Sequence, residues 1–288
     1  MVNGVNLQQI ADGIMSLMGY SLTPDVTTGS LAIGSEPTGN PDIAMYSIGG
    51  GFTWSQELPL YLEGTAGYSI YDPVFLVTDG QNERSIESKW KTVSASAGVG
   101  WDFPLTEALK IRPIFNFSYG RVLTDGSVAG FVYEELTGEE VDFLLNGELN
   151  ARGLGGTVML DYERYLPDSE IDVELRYTDI HLSSTRDTSA AVQGSSHAQS
   201  LSLWARWRAP TRLSMLGNPI RYVLEGAHTE FLGDLRGVLG FEALSSVGFG
   251  LELDTSAHDV IVTRTRLMLR YQFGGNVDGT SIGLAVSF

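Results

Sequence analysis

The sequence has no cysteine, so neither a disulfide framework nor a thiolate metal site is open to it. Cations are scarce: 18 Lys and Arg stand against 35 Asp and Glu, a formal charge of −17. So acidic a chain lacks the basic face that nucleic-acid binding requires. No run of about 18 apolar residues occurs, which excludes an ordinary transmembrane helix. The opening stretch MVNGVNLQQIADGIMSLMGY has neither the positive start nor the small-residue cleavage site of a signal peptide. Export therefore calls for a signal that this sequence does not carry.

What the chain does have is glycine and aromatics: Gly 34, Tyr 12, Phe 12 and Trp 5 in 288 residues. That mixture suits many-stranded folds with tight bends. Strict alternation recurs throughout. In LKIRPIFNFSY one face takes Leu109, Ile111, Pro113, Phe115, Phe117 and Tyr119, and the other takes Lys110, Arg112, Asn116 and Ser118. VSASAGVGWDF sets Val93, Val99, Trp101 and Phe103 against Ser94, Ser96 and Asp102. IDVELRY and TRTRLMLRYQF repeat the design with Asp172, Glu174, Arg176 and with Arg264, Arg266, Arg270 on the polar side.

About twelve such segments are expected, near 26–34, 42–54, 58–72, 89–104, 108–122, 143–165, 169–186, 196–210, 219–231, 240–253, 259–273 and 278–288. Their lengths cover the roughly 9–11 residues that a tilted strand needs to cross a bilayer. Every second connection is mostly short, whereas the intervening ones include the two longest, 73–88 and 123–142. Short turns on one rim and long loops on the other is the outer-membrane barrel arrangement.

A soluble sandwich or lipocalin-like barrel also alternates. Here, however, the polar face carries both charge signs on many strands. The aromatics Trp54, Trp101, Phe103, Trp207 and Phe288 gather at the short-turn rim, as in the girdle where a barrel meets the lipid interface. The reading is an all-β, transmembrane, antiparallel up-and-down barrel of about twelve strands over 21–288. Closure also removes the edge strands that lipid does not tolerate.

The last stretch, DGTSIGLAVSF, places Ile282, Leu284, Val286 and Phe288 on one face, opposite Ser281, Gly283, Ala285 and Ser287. Ser281, Gly283, Val286 and Phe288 match the polar–x–Gly–x–x–apolar–x–apolar ending of many bacterial outer-membrane proteins. With one helix followed by about twelve strands, the chain resembles the translocator domain of autotransporters, and within that family the solitary barrels without a passenger. The resemblance implies residence in the outer membrane of a Gram-negative bacterium as a monomer among outer-membrane lipid. It also implies that the barrel-assembly machinery reads the terminal residues as a signal. No convincing Asn-Asn cleavage pair is present, so passenger release is not expected.

Residues 1–20 carry Leu7, Ile10, Ile14 and Leu17 at the spacing of one helical stripe, with Asn6, Gln9, Asp12 and Ser16 opposite. Gly19 can end the helix. In the family such a helix threads the lumen; the alternative is a segment lying at the periplasmic face.

The polar face offers a basic set, Arg264, Arg266, Arg270, Arg206, Lys110 and Arg112. The acidic set on that face includes Glu63, Asp161, Asp172, Glu174 and Glu252. The plain expectation is an ion-pair network that stiffens a narrow barrel. The functional one is that these charges grip the helix or set the selectivity of a narrow or helix-plugged pore. For an enzyme, the strongest hint is His181 and Ser183, two apart on a strand and so facing the same way as base and nucleophile. Outer-membrane phospholipases carry a similar His-x-Ser pair but follow it with Asn-Gly, where Ser184 and Thr185 stand here. His197, His228 and His258 show no ligand spacing, so no metal or other cofactor is expected. An adhesin acting through its long loops completes the alternatives to a non-enzymatic barrel.

Overall fold

The computed structural model describes residues 29–33, 43–71, 74–78, 83–87, 89–125, 148–166, 168–185, 188, 194–237, 241–255, 264–275 and 278–287. The expected helix over 1–20, with Leu7, Ile10, Ile14 and Leu17, lies outside these residues, as does Phe288. Among the described residues there is strand, turn and bend but no helix.

The strands are β1 (Gly29–Ile33), β2 (Ile43–Thr53), β3 (Leu60–Tyr71), β4 (Val74–Thr78), β5 (Glu83–Glu87), β6 (Lys89–Trp101), β7 (Phe103–Pro104) and β8 (Leu109–Asp125). They continue as β9 (Glu148–Leu166), β10 (Ser169–Ser184), β11 (Ser195–Met215), β12 (Asn218–Gly233), β13 (Ala243–Asp254), β14 (Arg264–Gly274) and β15 (Asp278–Ser287). β4 and β5 form a separate hairpin in the connection between β3 and β6, and β7 continues β6 past Asp102.

The remaining twelve form one antiparallel ring. Each pairs with its sequence neighbour, β6 pairs with β8, and β1 closes on β15 through Ala32↔Thr280 and Ile33↔Gly279. The twelve-stranded expectation therefore holds, with boundaries shifted by a few residues.

The rims sort mainly as the connection lengths suggest. One carries tight turns at 54–59, 105–108, 167–168 and 216–217; the other carries the connections across 34–42, 72–88, 126–147 and 185–194. Local chemistry sets these turns. Ser55 Oγ accepts the Leu58 N–H at 2.9 Å, and Thr106 Oγ1 accepts the Ala108 and Leu109 N–H groups at 3.2 and 3.0 Å. Two connections depart from the pattern: 255–263 is long on the short-turn rim, and 275–277 is short on the other.

The two faces of the ring are inverted relative to a soluble fold. Ile48, Phe52, Val93, Phe115, Phe117, Leu154, Phe249, Leu267 and Leu269 are exposed on the outside. Glu63, Arg112, Asp161, Arg176, Arg208, Glu252 and Arg270 are buried inside. On β8 the outward band runs from Ile111 to Tyr119. At about 3.3 Å per residue and a tilt near 40°, that is roughly 20 Å between Cα atoms before side chains extend it. Trp54, Trp101, Phe103 and Trp207 are exposed around the short-turn end of this band, with Trp207 brought there by its register partner Ile171 near the start of β10.

Candidate functional site: the lumen

Alternation puts every second side chain of β3, β6 and β8 through β14 into the lumen, and the charges expected there meet in four groups. Near the short-turn rim, Arg112 binds Asp102 through Nε and through Nη2 (3.1 Å to Oδ2), and its Nη2 also lies 3.1 Å from Asp161 Oδ2. Lys110 reaches Asp161 at 3.2 Å and Glu163 at 3.3 Å, and Thr53 Oγ1 donates to Asp102 at 2.7 Å. The Arg112 guanidinium also lies 3.7 Å from the centre of the Tyr61 ring. Gly51 is what admits that ring: a Cβ there would collide with the Tyr61 phenol.

Deeper in, Arg176 grips Glu63 with both terminal nitrogens, at 2.9 and 2.6 Å. Asn116 Nδ2 donates to the same carboxylate at 2.7 Å, and Thr157 Oγ1 donates to Asn116 Oδ1 at 2.8 Å. Gly98 leaves room for this arrangement, since a Cβ would stand 2.6 Å from Glu63 Cγ and 2.7 Å from Asn116 Nδ2.

The third group joins β10 through β14. Asp172 receives Arg206 at 2.6 Å and Arg208 at 3.0 Å; Arg208 also reaches Glu170 at 2.8 Å and Glu252 at 3.4 Å. Arg266 holds Glu252 at 2.9 Å, Arg264 holds Glu170 at 3.3 Å, and Arg221 binds both Glu170 and Asp254. Higher up, Arg270 forms the fourth group with Glu225 at 2.9 Å.

Each charge expected in the lumen, Glu174 apart, thus meets an ionic partner. Glu174 Oε2 is buried without a hydrogen-bond partner, although alternation places it between Asp172 and Arg176 on the same face. Arg208, Arg221, Glu225 and Trp204, which lies under the Arg206 guanidinium at 4.7 Å, were not singled out from the sequence. Strand parity alone marks them as inward, and their partners lie on other strands.

His181 and Ser183, the pair considered for the alternative of an enzyme, are not joined by a hydrogen bond in the structure. The His181 ring packs on His197, its register partner on β11, with ring centres 4.6 Å apart. A different Ser–His–carboxylate chain occurs on the outer wall. Ser245 Oγ lies 2.8 Å from His228 Nδ1, and Glu230 Oε1 lies 3.1 Å from His228 Nε2. Both flanking strands are paired at this level, Ser245 with His228 and with Phe273. The local backbone N–H groups are therefore committed to the ladder rather than gathered to hold an oxyanion. Among the described residues no group of His, Asp and Glu is placed to hold a metal ion.

At the end of the chain, Ser281 and Gly283 face inward and are buried, while Ile282 is exposed on the outside.

A closed antiparallel ring with an apolar exterior and an ion-paired interior is an integral outer-membrane β-barrel, because only closure satisfies the strand backbones in lipid. The family model for the autotransporter beta-domain matches residues 21–131. The ring is similar to the beta domain of the Bordetella autotransporter BrkA, at 14% identity and a TM-score of 0.50, over 92% of this chain and 100% of that one. It is also similar to the transport unit of the autotransporter AIDA-I from Escherichia coli, at 12% identity and a TM-score of 0.54, over 98% and 99%. No curated protein matches the sequence. The chain thus resembles autotransporter beta-domains over residues 21–131, and its fold is that of a barrel of the Gram-negative outer membrane.

Proposed function

We propose that the barrel is a non-enzymatic, translocator-type shell whose lumen is a narrow conduit held shut by ion pairs. The observation that carries this reading is the Glu63–Arg176 pair, which ties β3 to β10 across strands that are not neighbours in the ring. Buried, bidentate and flanked by Asn116 and Thr157, it makes an internal strut. The Ser245–His228–Glu230 chain, lacking gathered oxyanion donors, supports a non-catalytic wall.

The lumen charges Arg264, Arg266, Arg270, Arg206, Lys110, Arg112, Glu252, Glu174, Asp172, Asp161 and Glu63 set the field that any ion or segment inside would meet. The stripe Leu7, Ile10, Ile14 and Leu17 is assigned to a helix that occupies or caps this space. Ser281, Gly283, Val286 and Phe288 are assigned as the mark read by the assembly machinery, and the working state is a monomer.

Single-channel recording in planar bilayers tests the conduit. The parent should conduct weakly, and both removal of residues 1–20 and the double variant Glu63→Gln, Arg176→Gln should raise the conductance. A parent that already conducts like an open pore, unchanged in both variants, would refute the proposal.

A further inference from the structure

The inward face of the ring changes character toward the long-loop rim. On β10 the lumen side passes from Arg176 of the charged strut through Thr178 to Ile180 and Leu182. On β8 it passes in the same direction from Asn116 through Ser118 to Val122, and Leu149 of β9 stands opposite Val122. Val122, Leu149 and Leu182 are 0% exposed, Ile180 1% and Phe231 5%. Side chains that line a wet passage are not sealed to this degree, so this section of the lumen is packed and dry.

The β3, β6 and β8 side of the same section carries hydroxyls. Ser69, Thr92, Ser94 and Ser118 are buried, and their hydroxyl oxygens have no hydrogen-bond partner. The registers join this side to the apolar one. Ser69 stands opposite Thr92, Thr92 opposite Val122, and Val122 opposite Leu149. Gly153 lies between Ser118 and Leu182. A Cβ on Gly153 would collide with Ser118 Oγ and stand 2.8 Å from Leu182 Cδ2 and 2.9 Å from Ile180 Cγ2. The hydroxyl and apolar sides therefore close on each other over a residue that has no side chain.

The two sides pull in opposite directions. Packing of the apolar residues favours a closed, dry section. Each unpartnered hydroxyl opposes it, because it has given up water and gained nothing in exchange. Water entering the section would satisfy the hydroxyls and wet the apolar side.

We infer that Val122, Leu149, Ile180, Leu182 and Phe231, set against the hydroxyls of Ser69, Thr92, Ser94 and Ser118, form a gate that closes the outer part of the lumen by dewetting. Apolar constrictions stop ions in this way without any charge, because an ion cannot leave its water to cross them. The inference rests on the reading of the lumen as a conduit. It adds a second barrier on the long-loop side of the Glu63–Arg176 strut, in series with it. Weakening either barrier raises the ion current only until the other limits it.

Single-channel recording in planar bilayers tests the gate in the background Glu63→Gln, Arg176→Gln, where the strut no longer limits the current. Different gel mobility of boiled and unboiled protein first establishes that each variant is a folded barrel. Adding Leu149→Asn and Leu182→Asn, which change polarity with little change in size, should raise the conductance severalfold. Adding Thr92→Val and Ser118→Ala instead, which removes two of the unpartnered hydroxyls and keeps the packing, should lower it. General loosening of the fold would not move the current in these two directions. Unchanged conductance in the asparagine variant, or unchanged or raised conductance in the valine and alanine variant, would overturn the gate. If the background conducts no better than the parent and the asparagine pair still raises the current, the gate stands and the strut reading falls. A parent that already conducts like an open pore would overturn both.

Discussion

Arg176 and Glu63 are 113 residues apart in sequence and four strands apart around the ring, yet they share two charge-assisted hydrogen bonds. Side chains of adjacent strands meet because the ladder sets them side by side; this pair meets because the lumen is narrow enough to be crossed. Removing one member of a buried pair leaves a desolvated charge, at about 3–5 kcal/mol, whereas removing both together costs far less. Glu63→Gln should therefore destabilise the barrel strongly in urea unfolding from lipid vesicles. Adding Arg176→Met should restore part of the loss. Strictly additive effects would mean that the two do not act as a unit.

The inverted faces predict opposite sensitivities. Phe115 is exposed midway along the apolar band of β8, so Phe115→Arg should cost about 2–4 kcal/mol in the same vesicles. Arg266→Leu removes a cation from Glu252, but Arg208 remains 3.4 Å from that carboxylate, so the loss should be smaller. Equal or reversed effects would mean that the outward and inward assignments are exchanged.

The alternation of apolar and polar residues was enough to place the strands, the faces and most of the lumen charges, because a period of two is a local signal. TRTRLMLRYQF announces by itself that Arg266 and Arg270 share a side. What it does not announce is which carboxylate each one meets. Arg266 pairs with Glu252 on the adjacent strand β13, but Arg270 passes β13 to reach Glu225 on β12. Those choices depend on shear and curvature, which are properties of the closed ring. His181 and Ser183 show the converse: correct parity put both on one face, but the stronger neighbour was His197 across the ladder. In the connection 255–263 the apolar run Val260, Ile261 and Val262 suggests a strand beginning near 259, whereas the strand begins at Arg264.

The hairpin joining β11 and β12 turns through Leu216 and Gly217, both at positive φ, 54° and 80°, between the paired residues Met215 and Asn218. That is the backbone of a two-residue primed turn, which favours Asn-Gly. A leucine there is strained by roughly 1–2 kcal/mol, and its side chain is 86% exposed, so no packing offsets the strain. Leu216→Asn should stabilise the barrel by up to about 1 kcal/mol, and Gly217→Ala should destabilise it by a similar amount. Thermal unfolding in detergent reads both. A loss of stability in Leu216→Asn would show that the leucine contributes through a contact with lipid.

Among the described residues the seam of the barrel is its shortest strand-to-strand junction in the ring: β1 meets β15 through Ala32↔Thr280 and Ile33↔Gly279. Directly opposed residues of antiparallel strands have Cα atoms about 4.5–5.5 Å apart, inside the range that a disulfide spans. Because the chain has no cysteine, a pair introduced at Ala32→Cys and Thr280→Cys reports on closure alone. Mild oxidation of the folded protein should link the two in one chain, giving a loop of nearly the whole sequence and a faster band on a boiled, non-reducing gel. A control pair, Ala32→Cys with Ser202→Cys on β11, spans strands five places apart around the ring and should stay reduced. If the seam pair oxidises no faster than the control, β1 and β15 do not meet, and the sheet is an open one whose edges must be covered in some other way.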